Sequence, residues 1–240
     1  GNFKLGHSDI CVYEADESDK SLVLYRPDIS IITNISKDHF PEEEARELFD
    51  RFRKQTKKCV FDESSLQNVS DVCLDKTGSS FRYRDTNFRL DILGRHNIEN
   101  ALYAIETALY SGCGLDEIKD ALAEFKGISK RLERIGRTPS GAEVILDFAH
   151  NPTKIEASLH SVSPENGKMY IVWRPHGYAP LRNMLDAFTE TFSSCCRPNN
   201  QLFLLPVYDA GGTAERNISS DDLAEKLCGK GVDVTVGNYN

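Results

Sequence analysis

A chain of 240 residues, 40% hydrophobic and 28% charged, has the composition of an ordinary globular protein and can bury a core without staples. Its formal net charge of -8 argues against a strongly basic face, so no nucleic-acid partner is expected, and an anionic substrate would need a local cluster of Arg, Lys and helix N-termini. No apolar run approaches the roughly 18 residues that span a membrane, no signal peptide opens the chain, and seven cysteines in no zinc-like spacing read as buried, reduced thiols of a cytoplasmic protein.

In chain order, residues 10–13 read as a short buried strand and residues 28–33 as a second. Pro41 is placed to open a helix. Glu42, Glu43 and Glu44 suit its positive end, Arg51, Arg53 and Lys54 its negative end, and Ala45, Leu48, Phe49 and Phe52 form its apolar stripe. Residues 59–61 read as a strand, and residues 69–92 as a hairpin turning at Thr77-Gly78. Asn97 is expected to cap a helix that Gly112 stops, and a second helix follows with Ile118, Ala121, Leu122 and Phe125 inward. Residues 127–137 are basic and without clear period, and the domain boundary is placed there. Beyond it, strands at 144–148, 169–173, 202–207 and 232–236 alternate with helices at 152–162, 181–193 and 219–228. That alternation implies a parallel sheet, with ligands at the carboxyl ends of its strands.

Four polar clusters sit at strand ends or helix starts. Glu14-Ala-Asp-Glu-Ser-Asp19 places four carboxylates in six residues, costly unless a cation shares them or the loop is simply solvated. Thr33-Asn-Ile-Ser-Lys-Asp-His39 ends on a histidine, a residue type that is more often structural than a ligand. Gly94-Arg-His-Asn-Ile-Glu-Asn100 puts Asn97 and Asn100 on one helix face, as a cap or as readers of a base edge. Asp147-Phe-Ala-His-Asn-Pro152 gathers polar groups before a helix N-terminus, a place that grips an anion or a ribose.

Taken in order, these segments and the linker pair Lys130-Arg131 resemble the bacterial Mur ligase family from about residue 8 to 225. The resemblance implies an α/β fold in two parts. Residues 1–129 would be the remainder of a central P-loop-type ATPase domain, and residues 130–240 a Rossmann-like C-terminal domain. It implies an ATP- and Mg2+-dependent carboxylate–amine ligase of peptidoglycan precursor synthesis, and so of cell wall, shape and division. Its small-molecule substrates would be a nucleotide-sugar muramyl precursor and an amino acid or peptide. By position, Glu14 and His39 match the family's magnesium-holding residues. His96, Asn97 and Asn100 match the adenine-side stretch. Arg131 matches the arginine that reaches the phosphates on closure, Asp147 the ribose ligand, and His150 lies beside it.

The family's Gly-rich phosphate loop and its UDP-sugar domain are not matched in these 240 residues, so this chain alone is expected to be inactive. Trp173-Arg-Pro-His-Gly-Tyr-Ala-Pro-Leu-Arg182 keeps His176 and Arg182 of the substrate-binding segment. Gly177 and Pro180 stand where alanine-adding relatives carry arginines, and neither can fork onto a carboxylate. A polyglutamate-type ligase and a non-catalytic Mur-like module are the alternatives. A nicotinamide dehydrogenase would need a Gly-x-Gly-x-x-Gly turn that the chain lacks.

Overall fold

The computed structural model describes residues 5–15, 17, 20–35, 41–209, 211 and 215–237, with the side chain of Glu42 excepted. The chain forms two compact units, one of residues 1–68 with 100–115, the other of 69–99 with 116–240.

In the first unit, β1 (Ile29–Ile31) and β2 (Cys59–Phe61) pair in parallel, with Ile29 opposite Cys59 and Ile31 opposite Phe61. The helix α1 (Glu42–Gln55) joins them. Pro41 precedes its first turn with φ -53, the angle a pyrrolidine ring imposes and a helix needs. Ala45, Leu48 and Phe52 of its stripe are buried, and Phe49 is half-buried. Leu48 and Phe52 meet Leu22 and Ile32 in this unit's core. Residues 10–13 do not form the expected strand. They lie in extended coil, with Ile10 61% and Val12 87% exposed. A strand's hydrogen bonds must come from a neighbouring ladder, and β1 pairs with β2 alone among the described residues.

The second unit opens with an antiparallel meander of β3 (Ser70–Asp75), β4 (Gly78–Tyr83) and β5 (Thr86–Leu90), one strand more than the expected hairpin. Phe81 and Phe88 stack directly across it at 5.4 Å. The extra strand follows a tight turn at Arg84-Asp85, both at positive φ (46° and 59°), the geometry that matches strand twist. The helix α2 (Arg95–Tyr110) starts two residues before the expected Asn97 cap. Gly94, at φ +96, makes the turn, and Asn97 Nδ2 instead donates to the Leu93 carbonyl at 2.6 Å. In α3 (Leu115–Glu124) Ile118 is buried, whereas Ala121 and Phe125 are exposed and Leu122 is half-buried, so the expected inward stripe is only partly realised.

The stretch expected to be an aperiodic linker contains a strand, β6 (Glu133–Arg137), antiparallel to β7 (Glu143–Leu146). Its alternation is hidden because charged side chains occupy both faces. Next come α4 (Pro152–Val162), β8 (Tyr170–Trp173), α5 (Tyr178–Asn183), α6 (Leu185–Cys195), β9 (Gln201–Leu204), α7 (Ser220–Gly229) and β10 (Val234–Val236). β8, β9 and β10 form the expected parallel sheet in the order β10-β9-β8. β7 lies outside it, paired with β6. One face of the sheet buries Ile171, Trp173, Leu202 and Leu204 against Ile155, Phe188, Phe192, Leu223 and Leu227 of the helices. Ser219 caps α7 reciprocally with Asp222.

All seven cysteines are free, but the expectation that they are buried holds only for Cys195. Cys11, Cys73, Cys113 and Cys228 are exposed and Cys59 and Cys196 half-buried, because the apolar periods that suggested burial belong to coil, an outer strand and helix ends. Burial raises the thiol of Cys196 to about 11, so it stays protonated.

Candidate functional site

Asp147 follows directly on β7, and its carboxylate is already engaged. One oxygen accepts the Ala149 N–H at 2.8 Å and the Ser158 hydroxyl at 2.9 Å. The other accepts the Leu132 N–H at 2.8 Å. A carboxylate offers about four acceptor sites, so room for one further donor remains. Asn151 caps α4, its side chain accepting from the Lys154 N–H at 2.9 Å. Trp173 at the end of β8 donates its indole N–H to the Ala149 carbonyl at 3.1 Å, fixing the turn between Asp147 and Asn151.

Around this turn runs a row of rings. Phe148 lies 5.2 Å from His150 and 5.6 Å from His176, and His176 stacks on Tyr208 at 4.9 Å with planes 13° apart. His150 Nδ1 lies 3.0 Å from the Phe148 carbonyl. The backbones of His176 and Tyr208 form an isolated parallel bridge beyond the ends of β8 and β9. Arg174 packs over the ring of Tyr208 at 4.9 Å and donates from Nε to the Pro206 carbonyl at 3.2 Å. Tyr208, missed in the sequence reading, carries a signal in hindsight, since it follows a strand as His176 does.

Arg182 donates to Asn217 Oδ1 at 2.7 Å and lies 3.5 Å from Glu215. Arg216 grips both oxygens of Asp209 at 2.7 and 3.3 Å, which holds that carboxyl below the usual carboxylate range. Gly177 sits at φ 103, ψ 149, backbone that is essentially glycine's alone. An arginine at that position, as in the pattern the sequence resembles, does not fit this backbone unstrained.

His96 lies in the first turn of α2. A β-carbon on Gly94 would stand 2.5 Å from its Cε1 and 2.9 Å from Ser161 Oγ, so ring and hydroxyl flank the bare backbone there. The ring keeps an exposed edge, yet the protein around it withholds water. That desolvation lowers its pKa, opposed by the carboxylates of Asp147 and Glu99 and assisted by Arg131. His96, Arg131 and Asp147 are therefore close enough to influence one another electrostatically. Asn97 is half-buried in the same unit, and Asn100 is exposed on α2 within the other unit.

Glu14 is exposed in the first unit, and His39 lies outside the described residues. No group of three His, Cys, Asp or Glu side chains capable of holding a metal occurs among the described residues. Glu14 is thus the one described residue of the expected magnesium pair. Among the described residues no helix is long and apolar enough to cross a membrane.

The α/β fold of this chain is that of solved Mur ligases. The structure superposes on UDP-N-acetylmuramate-alanine ligase MurC from Thermotoga maritima with a TM-score of 0.71 at 21% identity, over 93% of this chain and 54% of that one. It also superposes on Mycobacterium tuberculosis folylpolyglutamate synthase, solved with ADP and AMPPCP, with a TM-score of 0.57 at 18% identity, over 88% of this chain and 46% of that one. In sequence, the chain is similar to UDP-N-acetylmuramate–L-alanine ligases. It is 29% identical to that of Fusobacterium nucleatum over 279 aligned residues, covering 97% of this chain and 59% of the relative. The chain thus spans little more than half the length of such relatives. No family model matches it.

Proposed function

We propose that this chain supplies the nucleotide-closing and amine-receiving part of an ATP-dependent ligase that joins a UDP-N-acetylmuramyl-type carboxylate to an amino acid or peptide. The observation that carries this reading is the sequence likeness to UDP-N-acetylmuramate–L-alanine ligases over 97% of the chain. The folylpolyglutamate synthase likeness is lower in TM-score, and leaves a polyglutamate-type ligase as the second reading.

In the proposed reaction a carboxylate oxygen attacks the γ-phosphorus of ATP, the β,γ-bridging bond breaks, and ADP leaves. The incoming amine then attacks the acyl phosphate, loses a proton and expels inorganic phosphate as the amide forms. Residues 1–129 would serve the first step and residues 130–240 the second. Arg131, exposed on its turn, would neutralise phosphoryl charge when the parts close and water is excluded. His96, Asn97 and Asn100 would meet the adenine. A neutral imidazole at His96, favoured by its desolvation, suits that contact. Asp147, with one acceptor site left, would take a ribose hydroxyl, and His150 stands beside it. His176 and Arg182 would face the incoming amine substrate. Glu14 and His39 would hold magnesium, which offsets phosphate charge when bound. Gly177 argues that carboxylate recognition of that substrate differs from the alanine-adding pattern.

The test is phosphate release by the full-length protein given ATP, magnesium, UDP-N-acetylmuramate and each amino acid in turn. Amino-acid-dependent release, lost in Arg131→Ala with unfolding stability kept, is the expected result. No release with any muramyl acceptor, but turnover with a folate or glutamyl acceptor, would shift the reading to the polyglutamate type.

A further inference from the structure

Two residues of the segment between α3 and β6 hold left-handed backbone, Lys130 at φ +60 and Leu132 at φ +46, with Arg131 between them. Side chains with a β-carbon occupy that region only where the surroundings over-determine it. Two carboxylates do so here. Glu133 accepts the Lys130 N–H at 2.7 Å and the Ser129 hydroxyl at 3.0 Å. Asp147 accepts the Leu132 N–H at 2.8 Å from fifteen residues away, and the Leu132 side chain is buried. Asp147 cannot drift with the turn, because its other oxygen is held by Ala149 N–H and Ser158 Oγ, one in the segment between β7 and α4 and one on α4. The Arg131 N–H closes the turn onto the Ile128 carbonyl at 3.1 Å.

We propose that Asp147 is the positioning residue for Arg131: by accepting the Leu132 N–H it locks the 130–132 turn in its doubly left-handed form and so sets where the exposed guanidinium is presented. This rests on the proposed reading of Arg131 as the phosphate-facing arginine. It gives Asp147 a task that does not require nucleotide. A hydroxyl arriving at its remaining acceptor site would be sensed directly by the turn that carries Arg131. Were Asp147 merely a brace for the β7–α4 junction, the turn would be indifferent to it.

The experiment compares wild type, Asp147→Asn, and Asp147→Asn with Lys130→Gly in the full-length protein. An asparagine can keep its oxygen toward Ala149 and Ser158 but then turns an NH2 donor toward the Leu132 donor. Exchange of the Leu132 amide is expected to quicken about ten-fold or more as its bond is lost, with the Leu202 and Leu223 amides unchanged. Carbon-13 shifts of labelled Lys130 and Leu132 should lose their left-handed signature. With ATP and the acceptor in hand, kcat at saturating ATP should fall about ten-fold or more, since misplacement costs rate, whereas loss of the proposed ribose contact would show in the KM for ATP instead. Lys130→Gly, free to take φ +60, should restore part of that rate, which a lost brace would not allow. Ser158→Ala gives a milder form of the same Leu132 readout should Asp147→Asn fail to fold. Unchanged Leu132 exchange and shifts in the folded variants would overturn the proposal, as would a rate loss that Lys130→Gly leaves untouched. A wild-type protein that turns over no ATP would overturn the ligase reading instead, and the exchange and shift measurements would still decide the clamp.

Discussion

The guanidinium of Arg134 on β6 donates to the backbone carbonyls of Lys76 and Thr77, so the β3–β4 turn of the meander is fastened to the strand that leaves the linker. Arg134 also pairs with Glu143 on β7 through Nε at 2.7 Å. The turn itself is wound round Asp75, which accepts from Thr77, Gly78 and Arg89; the Arg89 guanidinium comes first among the influences that hold this carboxyl far below its usual range.

Arg134→Met keeps the aliphatic stem and removes the donors. Its partners are carbonyls near solvent, so global stability should drop by only about 1 kcal/mol. The local effect should be larger: amides of the β3–β4 turn and of β6 should exchange faster together, as members of one opening unit. Hydrogen-exchange mass spectrometry with peptides over residues 70–83 and 133–146 checks this. Faster exchange in one segment alone would show that the fastening carries no coupling.

Gly94→Ala should destabilise the fold by about 1–3 kcal/mol, the range for a non-glycine residue forced into a strained backbone region. Space makes it worse, since the new methyl would meet His96 and Ser161. Urea unfolding followed by circular dichroism gives the loss. Ser161→Ala should recover only a minor part, because the φ of +96 remains.

Acid should cost stability through His96. Its folded pKa lies below the ordinary value because of desolvation, so the unfolded chain binds the proton more readily. The stabilising contribution is full above the ordinary histidine value of about 6.5 and is lost as pH falls through that value and the lower folded one. His96→Gln should flatten the dependence of the urea midpoint on pH between about 7.5 and 5 relative to wild type. The exposed edge of the ring keeps the difference small. An identical slope in the two proteins would remove His96 from the account.

Trp173→Phe should loosen the strand-end turn. It strands the Ala149 carbonyl, at a cost of about 1–3 kcal/mol, and thins the packing against Phe188 and Phe192 at 4.9 and 5.3 Å. Exchange at Ala149 and Asn151 should rise more than at Leu223, in the same core but distant from the turn.

Elements whose hydrogen bonds close within a few residues were legible from the sequence by itself. α1 with Pro41 at its start, α4 with Asn151 as its cap, and α7 with Ser219 and Asp222 as its capping box stand where apolar period and cap residues put them. The position of Asp147, His150 and His176 beyond strand ends was legible too. Tertiary structure alone decided the rest, because strands and carboxylates take partners far along the chain. Residues 10–13 have strand character and no ladder among the described residues, so they stay in coil. Residues 133–137 have no apolar period but meet β7, so they are a strand. Asp147 looked like a ligand for a nucleotide; that it reaches back to Leu132, and that His176 lies flat on Tyr208, depends on where β7, β8 and β9 end in space. No local pattern carries that, since the free energy of each such bond is realised only after the strands have packed.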